Sequence, residues 1–260
     1  MGTEGHVPLA PVTVADNLCI GDLASALKDG LRDFLEYPQF GLFFAAIYVC
    51  AGIAITYALA TWNAVAWLIP AAAGFPLIAP FVAVGLYEVS RRREIGLPMN
   101  WRCVLGALRG HGDDQIISMG VIVFVAFGFW LMVAHGIFAI FLAESGIGAE
   151  SLAIFETTSG VLMLAIGTLT GGLMALAFYS ITVISLPMLV DHEVDFLTAI
   201  IVSVGAIRSN RFVLLVWALV IAVVLALAIV PLFLGLLVAL PVLAHATWHL
   251  YRRTVRSRGI

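Results

Sequence analysis

The chain has 260 residues, of which 62% are hydrophobic and 11% charged, with a formal net charge of -3 and a mean hydropathy of +1.08. Soluble domains carry about 25% charged residues, so this composition excludes a water-facing globule. Cys19, Cys50 and Cys103 form no close pair and no metal-ligand spacing, which excludes a disulfide framework.

The charges are segregated rather than merely few. No Asp, Glu, Lys or Arg falls between Glu36 and Glu88, Asp114 and Glu144, Glu156 and Asp191, or Arg211 and Arg252. A membrane-crossing helix needs about 20 apolar residues. The first and last gaps therefore hold two spans each and the middle two hold one each. The expected fold class is all-α, a polytopic bundle of six transmembrane helices.

In chain order, residues 1–15 read as a flexible N-terminus with no apolar signal-peptide core. A single membrane domain, 16–251, follows, and 252–260 form a basic tail. Asp16–Glu36 places Ile20, Leu23, Leu27, Leu31, Phe34 and Leu35 at near-helical spacing, which predicts an amphipathic helix with Asp16 as N-cap. The first hairpin is expected over Phe40–Thr61 and Val65–Glu88, turning at Thr61-Trp62-Asn63. A second amphipathic segment, Asn100–Arg109, carries Trp101, Val104, Leu105 and Leu108 and leads into spans over Ile116–Ala143 and Gly160–Val190. The latter is longer than one crossing requires and should tilt, or bend at Gly171-Gly172 or Pro187. It also holds Gly167-x-x-x-Gly171, a close-packing signal. The third amphipathic segment, Asp195–Arg208, with Phe196, Ile200, Val204 and Ile207, precedes spans over Phe212–Val230 and Gly235–Tyr251, separated near Pro231.

All thirteen Lys and Arg residues fall on one side of this six-span arrangement. The longest loop on the other side contains only the acids Glu144, Glu150 and Glu156. Basic loops stay in the cytoplasm, so both ends are expected there, in a bacterial inner membrane.

The chain reads as three units, about 16–95, 96–190 and 191–251, each a cytoplasmic interfacial helix followed by a helical hairpin. The interfacial segments contain Gly30-Leu31-Arg32, Ala107-Leu108-Arg109 and Ala206-Ile207-Arg208, and Pro80, Pro187 and Pro241 stand in the same register before Glu88, Asp195 and His249. Internal repeats are frequent in transporters and also occur in proteins that assemble.

Candidate functional residues follow from this plan. His245 and His249 share a helix face at i, i+4, a spacing that can ligate a metal or haem, although Trp248 and Tyr251 beside them equally fit anchoring at the headgroups. Asp191 and Asp195 at the end of span four, with Glu88 ending span two, could converge with His249 at the cytoplasmic mouth. They would pair there with Arg32, Arg109 or Arg208 or bind a cation, or simply meet nearby arginines and water. His135 is an ionisable group inside span three, a candidate by that position alone, unless a neighbouring hydroxyl or carbonyl satisfies it. The sequence has no phosphate-binding loop, nucleophile elbow, H-E-x-x-H or basic stretch suited to nucleic acid. No cofactor is predicted, haem or metal at His245 and His249 being the alternative.

The segments Gly85-Leu86-Tyr87-Glu88-Val89-Ser90-Arg91-Arg92, Ser185-Leu186-Pro187-Met188-Leu189-Val190-Asp191 and Ala244-His245-Ala246-Thr247-Trp248-His249-Leu250-Tyr251 resemble a family of bacterial predicted integral membrane proteins catalogued as a domain of unknown function. Some relatives carry a label likening them to cytochrome c oxidase subunit I. That subunit is a larger bundle whose intramembrane histidines hold haems and copper, whereas only His135, His245 and His249 lie in or near the spans here. What the resemblance implies is an inner-membrane protein with a respiratory complex as a candidate partner. The expected function is that of a non-enzymatic accessory or assembly component, contacting lipid and other membrane subunits or copies of itself. A small transporter or channel is the alternative, and a haem or metal protein the second.

Overall fold

The computed structural model describes residues 12–62, 79–107, 115–145 and 157–257. The first part of the second expected span, Asn63, Arg109, Glu150, Glu156 and Arg258 lie outside the described residues.

Among the described residues the regular structure is helical apart from one short two-stranded ribbon. Strand β1 (Val12–Val14) pairs antiparallel with β2 (Val255–Ser257), with Val14 opposite Val255. Asn210 reinforces this closure. Its Oδ1 accepts the Leu18 N–H at 3.2 Å, and its Nδ2 donates to the Ala15 carbonyl.

Helix α1 (Ile20–Glu36) begins at Cys19, whose N–H donates to the Asp22 side chain at 2.8 Å. It stops at Tyr37 because the residue before a proline is pushed out of the helical region. Pro38 then opens α2 (Pro38–Thr61), at the position where its missing N–H costs nothing. The chain continues through α3 (Ala79–Glu94), the short α4 (Trp101–Gly106) capped by Asn100, and α5 (Gln115–Ser145).

The long fourth apolar stretch is broken. It forms α6 (Thr158–Thr182) and α7 (Ser185–Asp191), separated at Val183-Ile184. The expected bend at Gly171-Gly172 does not occur. Pro187 causes the break, because a proline ring opposes the carbonyl four residues earlier, here that of Val183. Ser203, fully buried on α8 (Phe196–Ser209), stitches the gap by accepting the Ile184 N–H at 3.3 Å and donating to the Ser180 carbonyl at 2.8 Å. Helices α9 (Arg211–Ile229) and α10 (Leu236–Thr254) complete the chain.

Four helices among the described residues are long and apolar enough to cross a membrane, over Pro38–Thr61, Gln115–Phe141, Thr158–Asp191 and Arg211–Ile229. The sixth expected span coincides with α10, which is not among these four. Its second half carries His245, Thr247, His249, Arg252 and Arg253 and is wrapped by protein.

Helix α10 is the axis of the fold, packed by α1, α2, α3 and α9. Its closest neighbour is α1. A Cβ on Gly30 would lie 2.5 Å from the Ala246 backbone nitrogen, so only glycine permits this approach. That contact also sets which face of α1 turns inward. Leu23, Ala26, Gly30, Asp33 and Phe34 are buried, while Ile20, Leu31 and Leu35 of the expected inner face are exposed. The rotation brings small residues to the crossing and carries an acid inside.

Candidate functional site

The buried acid is the centre of a polar cluster joining α1, α3 and α10. Asp33 and His245 are wholly inaccessible, and Ser90 is 1% exposed. The Ser90 hydroxyl donates to Asp33 Oδ2 at 2.6 Å and lies 2.7 Å from His245 Nδ1, which then carries the proton and donates to Ser90. His249 Nε2 lies 2.8 Å from the same Asp33 oxygen. Arg93 Nη1 stands 2.9 Å from Asp33 Oδ1, an ion pair whose N–H is out of line for a hydrogen bond. The Arg93 Nε donates to Glu36 at 2.7 Å. A continuous path therefore runs His249–Asp33–Ser90–His245, clamped on one side by Arg93.

Local sequence explains the convergence. Asp33 follows Gly30 by one turn on the inner face of α1, and His245 and His249 stand on adjacent turns of the α10 face opposite. Burial acts to raise the Asp33 pKa. Hydrogen bonds from His249 and Ser90, with the charge those histidines can carry, outweigh it and hold the carboxyl below its usual range. Burial likewise acts to lower the Arg93 pKa, and Glu36 and Asp33 together raise it. The centre is thus an anion locked between an arginine and a histidine. Its hydroxyl is committed to the carboxylate and shut away from solvent, so Ser90 is a bridge in this conformation rather than a nucleophile.

A second network closes the same end of the bundle. Asp191, at the end of α7, accepts from Tyr251 and from Arg252 Nη1, each at 2.9 Å, and lies 3.5 Å from Arg91. Glu94 accepts from Arg252 Nε at 3.0 Å and from the Trp248 indole at 3.1 Å. Burial acts to lower the Arg252 pKa, and Asp191 and Glu94 raise it. Glu88, 5% exposed, accepts from Arg92 Nε at 2.7 Å.

The structure therefore gathers His245 and His249 into one network and Asp191 and Glu88 into the other. Asp195 stands apart as the exposed N-cap of α8, accepting the Thr198 N–H at 2.8 Å, and that bond holds its carboxyl low. Arg32 and Arg208 are exposed on α1 and α8, and His135 is exposed on α5, an element of neither network. No group of three or more His, Cys, Asp or Glu among the described residues is arranged to hold a metal ion.

Asp33, Ser90, Arg93 and Glu94 were not singled out by sequence. Asp33 did carry a signal, an acid in register with Leu23, Ala26, Gly30 and Phe34. Ser90 had none beyond lying one turn from Leu86.

Residues 68–191 match DUF2189, a family of predicted integral membrane proteins. The expected resemblance to this family is thereby shown over 68–191, which holds two of the three segments that carry it, and 244–251 lies outside the match. No curated protein and no solved structure matches the chain. The DUF2189 segment supplies Glu88, Ser90, Asp191 and Arg91 to Arg93, whereas Asp33, His245 and His249 come from outside it. The first network thus joins the family segment to both α1 and α10, and the second joins it to α10 alone.

Proposed function

We propose that this integral membrane protein is a non-enzymatic accessory or assembly component of a membrane complex, a respiratory complex being one candidate. The observation that carries this reading is the outer face of α5. Ile117, Val121, Phe124, Val125, Phe129 and Met132 are each more than half exposed, and α5 packs mainly on α6 among the described residues. Side chains added at Gly128 and Gly136 on that helix would meet nothing within 4 Å. Small residues on an uncovered span let a second helix approach closely. Burial of the ionisable groups at the other end of the bundle supports the same reading, because Ser90, Asp33 and His245 serve one another rather than an incoming substrate.

The arrangement is that of six spans in three hairpins, with both ends in the cytoplasm of a bacterial cell. Three features support it. The exposed sides of α1, α4 and α8 combine apolar residues (Leu31 and Leu35; Trp101 and Leu105; Leu197 and Ile201) with Arg32, Arg102 and Arg208. Helices of that kind lie in the headgroup region of an anionic leaflet.

Purification of the tagged chain in mild detergent, with mass spectrometry of what accompanies it, tests the reading. A stoichiometric membrane complex is expected, and Gly128→Leu with Gly136→Leu should release it while leaving the fold intact. Recovery of a monodisperse monomer, with all membrane complexes unchanged in a deletion strain, overturns it.

A second reading, a small transporter, is favoured by the His249–Asp33–Ser90–His245 path. Under it, Asp33→Asn combined with His249→Gln abolishes flux in proteoliposomes, and normal flux in that variant refutes the path.

A further inference from the structure

A cavity of about 630 Å³ opens sideways between α3, α6, α9 and α10, on the face of α10 away from the histidines. Small residues make the space. Ala218, Ala222 and Ala226 recur at every turn of α9, and Gly172 and Ala175 face them from α6. A Cβ on Gly172 would meet nothing within 4 Å. The cavity runs from Thr182 and Tyr87, near the arginines of α3, to Ile229 at the far end of α9, so it follows the length of a span.

The lining is nearly silent in hydrogen bonding. Tyr179 donates to the Leu214 carbonyl at 2.7 Å, while Thr182 and Thr247 donate to Phe178 and Leu243 carbonyls of their own helices, each at 2.8 Å. Tyr87 is the exception. It is 4% exposed, lines the cavity, and its hydroxyl has no hydrogen-bond partner among the described residues. A hydroxyl without a partner at an apolar cavity wall is costly, so an occupant that accepts from it is favoured. Tyr87 immediately precedes Glu88 and the arginines, at the depth where tyrosines meet the polar edge of a bilayer.

We infer that this cavity binds one acyl chain of a bilayer glycerolipid, whose ester carbonyl accepts from the Tyr87 hydroxyl. Two of the bounding walls, α6 and α9, are spans, so the mouth between them opens onto hydrocarbon, the medium an apolar slot draws from. Cavities of this size and lining commonly enclose a single elongated apolar ligand oriented by one polar contact. The inference is independent of the accessory reading, since it concerns α6 and α9 rather than the outer face of α5.

The full chain, reconstituted in phosphatidylethanolamine vesicles doped with a phosphatidylcholine bearing a diazirine at the chain terminus, is irradiated and its labelled peptides mapped. Label should concentrate on the α6 and α9 lining above that on Phe124, which faces outward. Gly172→Phe and Ala222→Phe, which fill the slot, should remove the excess and leave Phe124 labelling unchanged. Tyr87→Phe preserves shape, so it stands in should the filled variants misfold. It should lower phospholipid retained in native mass spectrometry by about fivefold, the worth of one hydrogen bond. Equal labelling inside and outside the slot, or retention unchanged in Tyr87→Phe, overturns the proposal.

Discussion

Asp33 shows how much one side chain can organise. It is inaccessible, yet it binds a serine, a histidine and an arginine from two other helices. Replacing one partner of a buried ionic group leaves the others uncompensated, which costs about 3–5 kcal/mol. Asp33→Asn is expected to lose stability on that scale in a detergent melting experiment. Ser90→Ala, which strands His245 Nδ1 and leaves Asp33 Oδ2 with His249 alone, should lose about 1–3 kcal/mol. The pH dependence has a definite sign. Because the folded Asp33 pKa is depressed, its contribution is complete above the ordinary carboxylate value, about 4, and is lost as pH falls through the folded value. The native chain should lose melting temperature over that acid window, and Asp33→Asn should lose less there. Sequence disclosed the two histidines through their i, i+4 spacing but not the acid between them. An aspartate counts as polar in any periodicity, so the inner face of α1 was assigned to its large aliphatics when the crossing required its small residues.

Individual helices were far more legible, since charge gaps translate directly into apolar length. Three of the expected spans agree with α2, α5 and α9 to within a few residues. Sequence offered Pro187 as one of two places for the break between α6 and α7, but not the repair, which comes from Ser203 on a different helix. The α1–α10 crossing is the most demanding contact between elements. Gly30→Ala places a methyl group against backbone atoms of Ala246 and Val242 that cannot rotate away. Separation of the two helices is the expected response, at a cost of about 1–3 kcal/mol. Limited proteolysis should then cleave near Tyr37, and a variant as resistant as the native chain would show that the crossing has slack.

At the scale of the whole molecule, the polar networks and the apolar spans divide the protein into two ends with different chemistry. Every ion pair described above involves residues that the positive-inside pattern assigns to one face. The ribbon pairs Val12–Val14 with Val255–Ser257, so these two strands lie on the same side. Helix α10 fits this division although its composition alone does not mark it as a span. Its first half, Leu236 to Ala244, is apolar, and its polar second half is enclosed by α1 and α3 rather than by lipid. A six-span protein with cytoplasmic ends makes one sharp demand. With the native cysteines replaced, Leu97→Cys should react with an impermeant maleimide only after the inner membrane is opened, and Gly148→Cys should react in intact spheroplasts. Arginines end α3 and recur in α4, whereas the segment after α5 holds only acids among its charges, so one span between them is what the positive-inside pattern requires. Reaction of both positions from the same side would mean an even number of crossings between them, and the charge-gap assignment of α5 as a single span would fall.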